Sequence, residues 1–311
     1  MRPLSRLLLL LAVGCRSSGS LPIDTDLEQD TDPVQDTDPV DTDTDTDTDL
    51  TDTEEPPPAS RCVVGPTTIS CPHDSLTLHP GLGFEARQVH YQVPATAPPA
   101  AGYPTVLIFQ GSLFSAELNW EGWQGGPFGV WWQVVLTQTL LDNGFAVITP
   151  EAHAGGSTFW DTNVPPFNVA WQTAPDHDLM LDLFDEIEAG SFGDLDPNAL
   201  FATGISSGGY MTSRMAVSYP GRFRALAVHS GSYATCSGPL CFVPTLPSDH
   251  PPTLFLRGED DLTVPIGTME SYYSALNADG VATRKVTDAD AAHEWLQAAP
   301  GEILDWFVAH P

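Results

Sequence analysis

The sequence predicts an α/β fold with a doubly wound, mostly parallel sheet, and three observations carry the prediction. Beyond about Cys62, short apolar runs alternate with stretches of helical spacing, as in consecutive strand–helix units. The run Thr105-Val106-Leu107-Ile108-Phe109 is apolar without alternation, as a strand covered on both faces must be. The pentad Gly204-Ile205-Ser206-Ser207-Gly208 sits between the apolar run Leu200-Phe201-Ala202 and a helical stretch from Tyr210, which reads as strand, tight turn and helix.

Taken in order, Val89 to Val93 alternates and reads as an early strand. Thr105 to Phe109 is the first buried strand, and Trp131 to Leu141 follows with helical spacing. Phe145 to Thr149 is the next strand and Asp178 to Ala189 an acidic helix. Leu200 to Thr203 leads into the pentad and its helix. Ala225 to Val228 and Thr253 to Leu256 are strands, Ile266 to Ala278 a helix, Val281 to Val286 the last strand, and Glu294 to Val308 the last helix. In such a sheet the site lies at the carboxyl ends of the strands.

The pentad places Ser206 at the apex of a sharp turn, where flanking glycines let strand and helix pack closely. A serine nucleophile needs a base, and the base an orienting acid. In the order Ser…Asp…His, both partners belong in loops after later strands. Asp261 follows the run ending at Leu256, and His293 follows the run ending at Val286, which completes that order. Glu259 and Asp260 are the competing acids. Stabilising an oxyanion takes two amides. The Ser207 amide at the helix start is one. The loop Gln110-Gly111-Ser112-Leu113 supplies the second, with Ser112 preferred and Leu113 the alternative. Gln110, Trp160 and Trp295 are the candidate substrate contacts, with Trp160 read as an aromatic platform. His73, His79 and His90 precede the sheet core and His310 is terminal, so none competes with His293; His153 and His229 follow strands near the pocket. The chemistry needs no metal and no cofactor.

The stretch Asp196 to Met211 around the pentad, Gly258-x-x-Asp261-x-x-Val264-Pro265 and His293-x-Trp295 resemble the secreted α/β-hydrolase esterases that include poly(3-hydroxybutyrate) depolymerases, feruloyl esterases and acetylxylan esterases. The resemblance spans roughly residues 85 to 309. It implies an α/β-hydrolase fold and a serine esterase acting on carboxylic esters, polymeric or polysaccharide-linked. The chain departs from the family in having Gln110-Gly111 and Arg257-Gly258 where His-Gly is usual, and Ala292 before the histidine. A peptidase of the same fold and a non-catalytic surface binding module are the rival readings.

Composition divides the chain into three parts. Residues 1–15 read as a lipoprotein-type signal, with Arg2 and Arg6 before the apolar Leu7 to Val13 and small residues before Cys15, the candidate lipidation site. Residues 16–61 form an acidic Asp/Thr/Pro linker. Its segment 24–55 holds 15 acidic residues and no lysine or arginine, so disorder is expected. Residues 62–311 form the catalytic domain. Export to a bacterial cell envelope, with a lipid anchor in the outer membrane or free secretion, follows from this reading. The net charge of −30 argues against a nucleic-acid partner, and a monomer is expected. Cys62, Cys71, Cys236 and Cys241 suit two disulfides in an oxidising compartment. Three pairings are open, proximity favours Cys62–Cys71 and Cys236–Cys241, and free thiols are the alternative.

Overall fold

The computed structural model describes residues 60–81, 85–153, 159–236 and 241–311. The signal with Cys15, and the linker up to residue 59, lie outside the described residues. Strands and α-helices run in the order β1 (Val63–Val64), β2 (Thr68–Ser70), β3 (Asp74–Leu78), β4 (Arg87–Gln92), β5 (Tyr103–Phe109), β6 (Glu121–Trp123), α1 (Val130–Asp142), β7 (Ala146–Pro150), α2 (Pro175–Glu188), β8 (Leu195–Ile205), α3 (Ser207–Ser218), β9 (Phe223–His229), β10 (Thr253–Gly258), α4 (Ile266–Ala278), β11 (Thr283–Asp288) and α5 (Ala299–Val308).

Eight strands form the main sheet, ordered β11-β10-β9-β8-β5-β7-β4-β3. From β11 to β7 all pairs are parallel, while β4 and β3 join antiparallel. The apolar strands explain the double winding. In β5, Leu107 and Phe109 face a core shared with α2 and α3, whereas Val106 and Ile108 face one shared with α1 and α5. That period of two lets an unbroken apolar run fill both layers. A third cluster packs α4 on β9 and β10 through Val228, Phe255, Met269 and Tyr272. The sheet is that of an α/β-hydrolase fold.

A small antiparallel sheet, β1-β2-β6, goes beyond the sequence reading. Its strands are two or three residues long, too short for a periodic signal. The disulfide Cys62–Cys71 closes the β1–β2 hairpin, and Cys236 bonds Cys241, so the pairing by proximity holds. Several boundaries move, among them the start of β8 at Leu195 rather than Leu200 and of α2 at Pro175 rather than Asp178, and two moves near the carboxyl end have a clear cause. The last strand begins at Thr283 rather than Val281, because the Val281 amide donates to Leu276 O at the end of α4. The last helix begins at Ala299 rather than Glu294. The amides of Trp295 and Leu296 donate to Phe128 O and His229 Nε2 instead of to helical carbonyls, and Pro300 suits the first turn.

Candidate active site

Ser206 lies between β8 and α3 with φ 59° and ψ −121°, in a region L-residues rarely enter. Its own amide donates to His229 O at 3.1 Å, which pins the turn to the end of β9. Gly208 is required by proximity: a Cβ there would stand 2.0 Å from Phe109 O. The helix therefore starts directly against the end of β5. Ser207 is the first residue of α3, so its amide has no acceptor within the helix and remains to bind an anion. Its hydroxyl is occupied inward, accepting the Trp160 amide at 2.9 Å.

His293 and Asp261 meet across two loops. His293 Nδ1 lies 2.8 Å from Asp261 Oδ2, and Asp261 Oδ1 accepts the amides of Thr263 at 2.8 Å and Val264 at 3.0 Å. Burial raises the Asp261 carboxyl. The hydrogen bonds from His293, Val264 and Thr263 outweigh that and hold it below the ordinary value, as an anion. The competing acids, Glu259 and Asp260, are exposed. The approach of the two loops depends on Gly258, where a Cβ would stand 2.2 Å from Ala291 O.

Ser206 and His293 line one cavity of about 280 Å³ with Leu113, Phe114, Phe128 and Ile205 on its apolar walls. A second cavity of about 260 Å³ is walled by Phe159, Val164, Tyr210 and Val264. Ser206, Ser112 and Thr263 border both, so the serine stands where the two lobes join. Ser112 and Leu113 are the middle of a turn in which the Phe114 amide donates to Gly111 O at 3.4 Å. Leu113 takes φ 69° there, a place that favours glycine, and is 79% exposed. Gly111, Ser112 and Leu113 line the first cavity beside Ser206.

The sequence-assigned substrate contacts fare unequally. Trp295 lines the first cavity, with its ring 4.8 Å from that of His229. Trp160 is not a platform. It is fully buried, its Nε1 donates to Gln110 O at 3.1 Å, and its ring packs edge-on to Phe109. Gln110 is also fully buried. Its amide nitrogen donates to Phe114 O and its oxygen accepts the Ala152 amide, so it braces the loop rather than meeting a ligand. An indole among apolar neighbours with a satisfied N–H is core, whatever its place in the chain. Trp120 and Trp171 are buried likewise.

Phe114 and Phe128 escaped the sequence reading. Their rings meet edge-to-face at 5.2 Å, and Phe128 lies edge-on to His293 at 6.5 Å. Phe128 takes φ 55° and is followed by Gly129 at φ 67°. The Gly125-Gly126-Pro127 run before it was the available signal. His229 does not line the pocket but lies wholly buried behind it. Burial, and then the neighbouring His293, push its imidazole down to about 3, so it stays neutral and accepts the Leu296 amide on Nε2. A neutral ring here places no charge beside His293.

No family model matches the chain. It is 49% identical over 261 residues to the poly(3-hydroxyoctanoate) depolymerase of Pseudomonas fluorescens, an alignment covering 81% of this chain and 92% of the relative. Among solved structures, a thermostable esterase superposes with a TM-score of 0.52 at 18% identity, covering 76% of this chain and 62% of the other. An acylaminoacyl peptidase of Pyrococcus horikoshii also superposes at 0.52, with 14% identity and coverage of 76% and 40%. Those two likenesses speak to the fold, which esterases and peptidases share. The identity over nearly the whole length of the relative goes further: this chain belongs to the family of the Pseudomonas fluorescens poly(3-hydroxyoctanoate) depolymerase and is a carboxylic ester hydrolase.

Proposed function

We propose that the protein is an exported serine esterase that cleaves the backbone esters of polyhydroxyalkanoates bearing medium-length alkyl side chains. The observation that carries this is the position of Ser206 at the junction of two largely apolar lobes, on the wall it shares with His293. Ser206 Oγ attacks the ester carbonyl and His293 takes its proton. Asp261 holds the imidazole in the tautomer that accepts there and stabilises its charge. The Ser207 and Ser112 amides receive the oxyanion. His293 returns the proton to the leaving alcohol, and water repeats the cycle on the acyl-enzyme. The lobe walled by Leu113, Phe114, Phe128 and Ile205 has apolar surface for the alkyl side chain of a hydroxyoctanoate unit. The name of the relative and the apolar walls together favour this substrate over a sugar-linked acyl group.

The test sets films of poly(3-hydroxyoctanoate) and poly(3-hydroxybutyrate) beside feruloylated xylan and a peptide panel. Release of hydroxyacid from the octanoate polymer is expected to exceed that from the butyrate polymer by at least about tenfold. Four methylenes per unit, at about 0.8 kcal/mol for each one buried, leave ample margin for that. Preference for the butyrate film or for the peptides would overturn the reading.

Export rests on the leader, and the Cys15 lipid anchor on the small residues before that cysteine. No helix among the described residues is long and apolar enough to cross a membrane. The 24–55 tract would act as a tether. At about 3.5 Å per residue, a fully extended linker reaches on the order of 150 Å. It would hold an acidic domain, with eight basic residues against 26 acidic from Arg61 onward, off an anionic surface. Fatty-acid labelling of the wild type, lost in Cys15→Ser, is the expected result. An unlabelled wild type in the medium would make the protein freely secreted.

A further inference from the structure

We propose that His73, His90 and Glu117 form a binding site for one divalent transition-metal ion, with zinc the best fit, that clips the oxyanion-loop wall of the cleft to the sheet edge. His73 lies between the Cys62–Cys71 disulfide and β3, His90 in β4, and Glu117 in the short helical turn Ala116–Asn119 just beyond the Gly111–Phe114 turn. Their ligand atoms all lie within 4.8 Å of one another.

The spacing is that of ligands around an ion rather than of hydrogen bonds. His73 Nε2 is 3.6 Å from Glu117 Oε1, and His90 Nδ1 is 3.4 Å from Glu117 Oε2. Both exceed the usual N–H···O range. Two ligands about 2.0–2.2 Å from a zinc ion stand roughly 3.3–3.6 Å apart at tetrahedral angles, which matches each histidine's distance to its own oxygen of the Glu117 carboxylate.

The His73 ring is also held as a ligand would be. The His73 Nδ1–H donates to Cys71 O at 3.1 Å, which leaves the Nε2 lone pair directed at Glu117. The ring is stacked on buried Trp120, centroids 4.7 Å apart. A carbonyl behind a histidine is a usual partner of a metal-bound ring. His90 turns Nδ1 toward Glu117, while its Nε2 stands 3.9 Å from Glu151 Oε1, beyond hydrogen-bond reach. His90 is 9% exposed, and its Nδ1 is buried with no hydrogen-bond partner among the described residues, although it points at the cluster. Glu117, half exposed, leaves one side open for water and for entry of the ion.

A second group of possible ligands, His153, Asp161 and Asp176, makes a useful contrast. There a cation is already in place: Arg87 Nη1 donates to Asp176 Oδ1 at 3.1 Å. No arginine or lysine is paired with His73, His90 or Glu117 among the described residues.

The ion would take no part in ester cleavage. It would fix the 116–119 turn, whose Ala116 amide already donates to Glu151 Oε1 at 3.0 Å, and so steady the loop that precedes it. The full chain, stripped with chelator, is titrated with zinc chloride by calorimetry and melted with and without zinc. One ion per chain is expected, with a Tm rise of about 5–10 °C at a hundredfold excess over Kd. Glu117→Gln, at a half-exposed position, and His73→Gln should each fold by circular dichroism yet bind zinc at least about tenfold more weakly and lose the Tm rise. A folded wild type that binds no zinc, or zinc binding equally strong in both variants, would overturn the proposal.

Discussion

Ser206→Ala is expected to lower kcat on a soluble ester by about 10⁴-fold or more, with the fold and Tm unchanged. The magnitude reflects cooperation: without Oγ, the His293–Asp261 pair has nothing to deprotonate, and only the amides and the binding lobes remain. The structure favours a clean experiment. At φ 59° and ψ −121° the strain belongs to the backbone and to Cβ, and alanine keeps both. The Ser206 contacts that organise the turn are main-chain ones: its amide to His229 O, and its carbonyl from the Tyr210 amide. Melting the variant beside the wild type checks the fold, and a covalent serine probe that labels only the wild type checks the residue. A folded Ser206→Ala enzyme turning over ester near the wild-type rate would remove Ser206 from the mechanism. If turnover then fell in Ser207→Ala instead, the neighbouring hydroxyl would be the nucleophile.

The elements that position these residues were legible in the sequence because each carries a local signal. The unbroken run in β5, the pentad between β8 and α3, and the strand-then-loop pattern before Asp261 and His293 all depend on contiguous residues. What escaped is decided by partners distant in sequence. Trp160 reads as a platform until Gln110 O, fifty positions away, takes its N–H. The segment Glu294 to Ala298 has helical spacing, but Phe128 O and His229 Nε2 claim its amides. Phe114 and Phe128 form one wall only because two loops converge, and the grouping of His73, His90 and Glu117 needs three separate segments folded together. Propensity and spacing describe a segment. Which face of a loop meets solvent is a property of the assembled sheet.

Asp261→Asn is expected to cost about 10⁴-fold in kcat, whereas Asp260→Asn should leave kcat within about twofold. Of the two acids it is Asp261 that bonds His293, at 2.8 Å, and it does so with the oxygen not engaged by the Thr263 and Val264 amides. Asparagine can keep those two amide bonds through its carbonyl, so the loop geometry should survive. Its NH₂ would then face Nδ1 as a donor, turning the imidazole to the tautomer that carries its proton toward Ser206 and cannot accept another. Asp260 is exposed, and among the described residues its amide, which donates to Ala291 O, is its one engaged group. Stability gives a second readout. The Asp261 carboxyl is held below its ordinary value, so it contributes stability at neutral pH that is lost as pH falls through its folded value. The wild type should therefore outlast Asp261→Asn in thermal melts at pH 7, and the gap should narrow steadily on acidification. Asp260→Asn should track the wild type throughout. A large loss of kcat in Asp260→Asn, with Asp261→Asn nearly normal, would transfer the orienting role to the neighbouring acid despite the 2.8 Å contact.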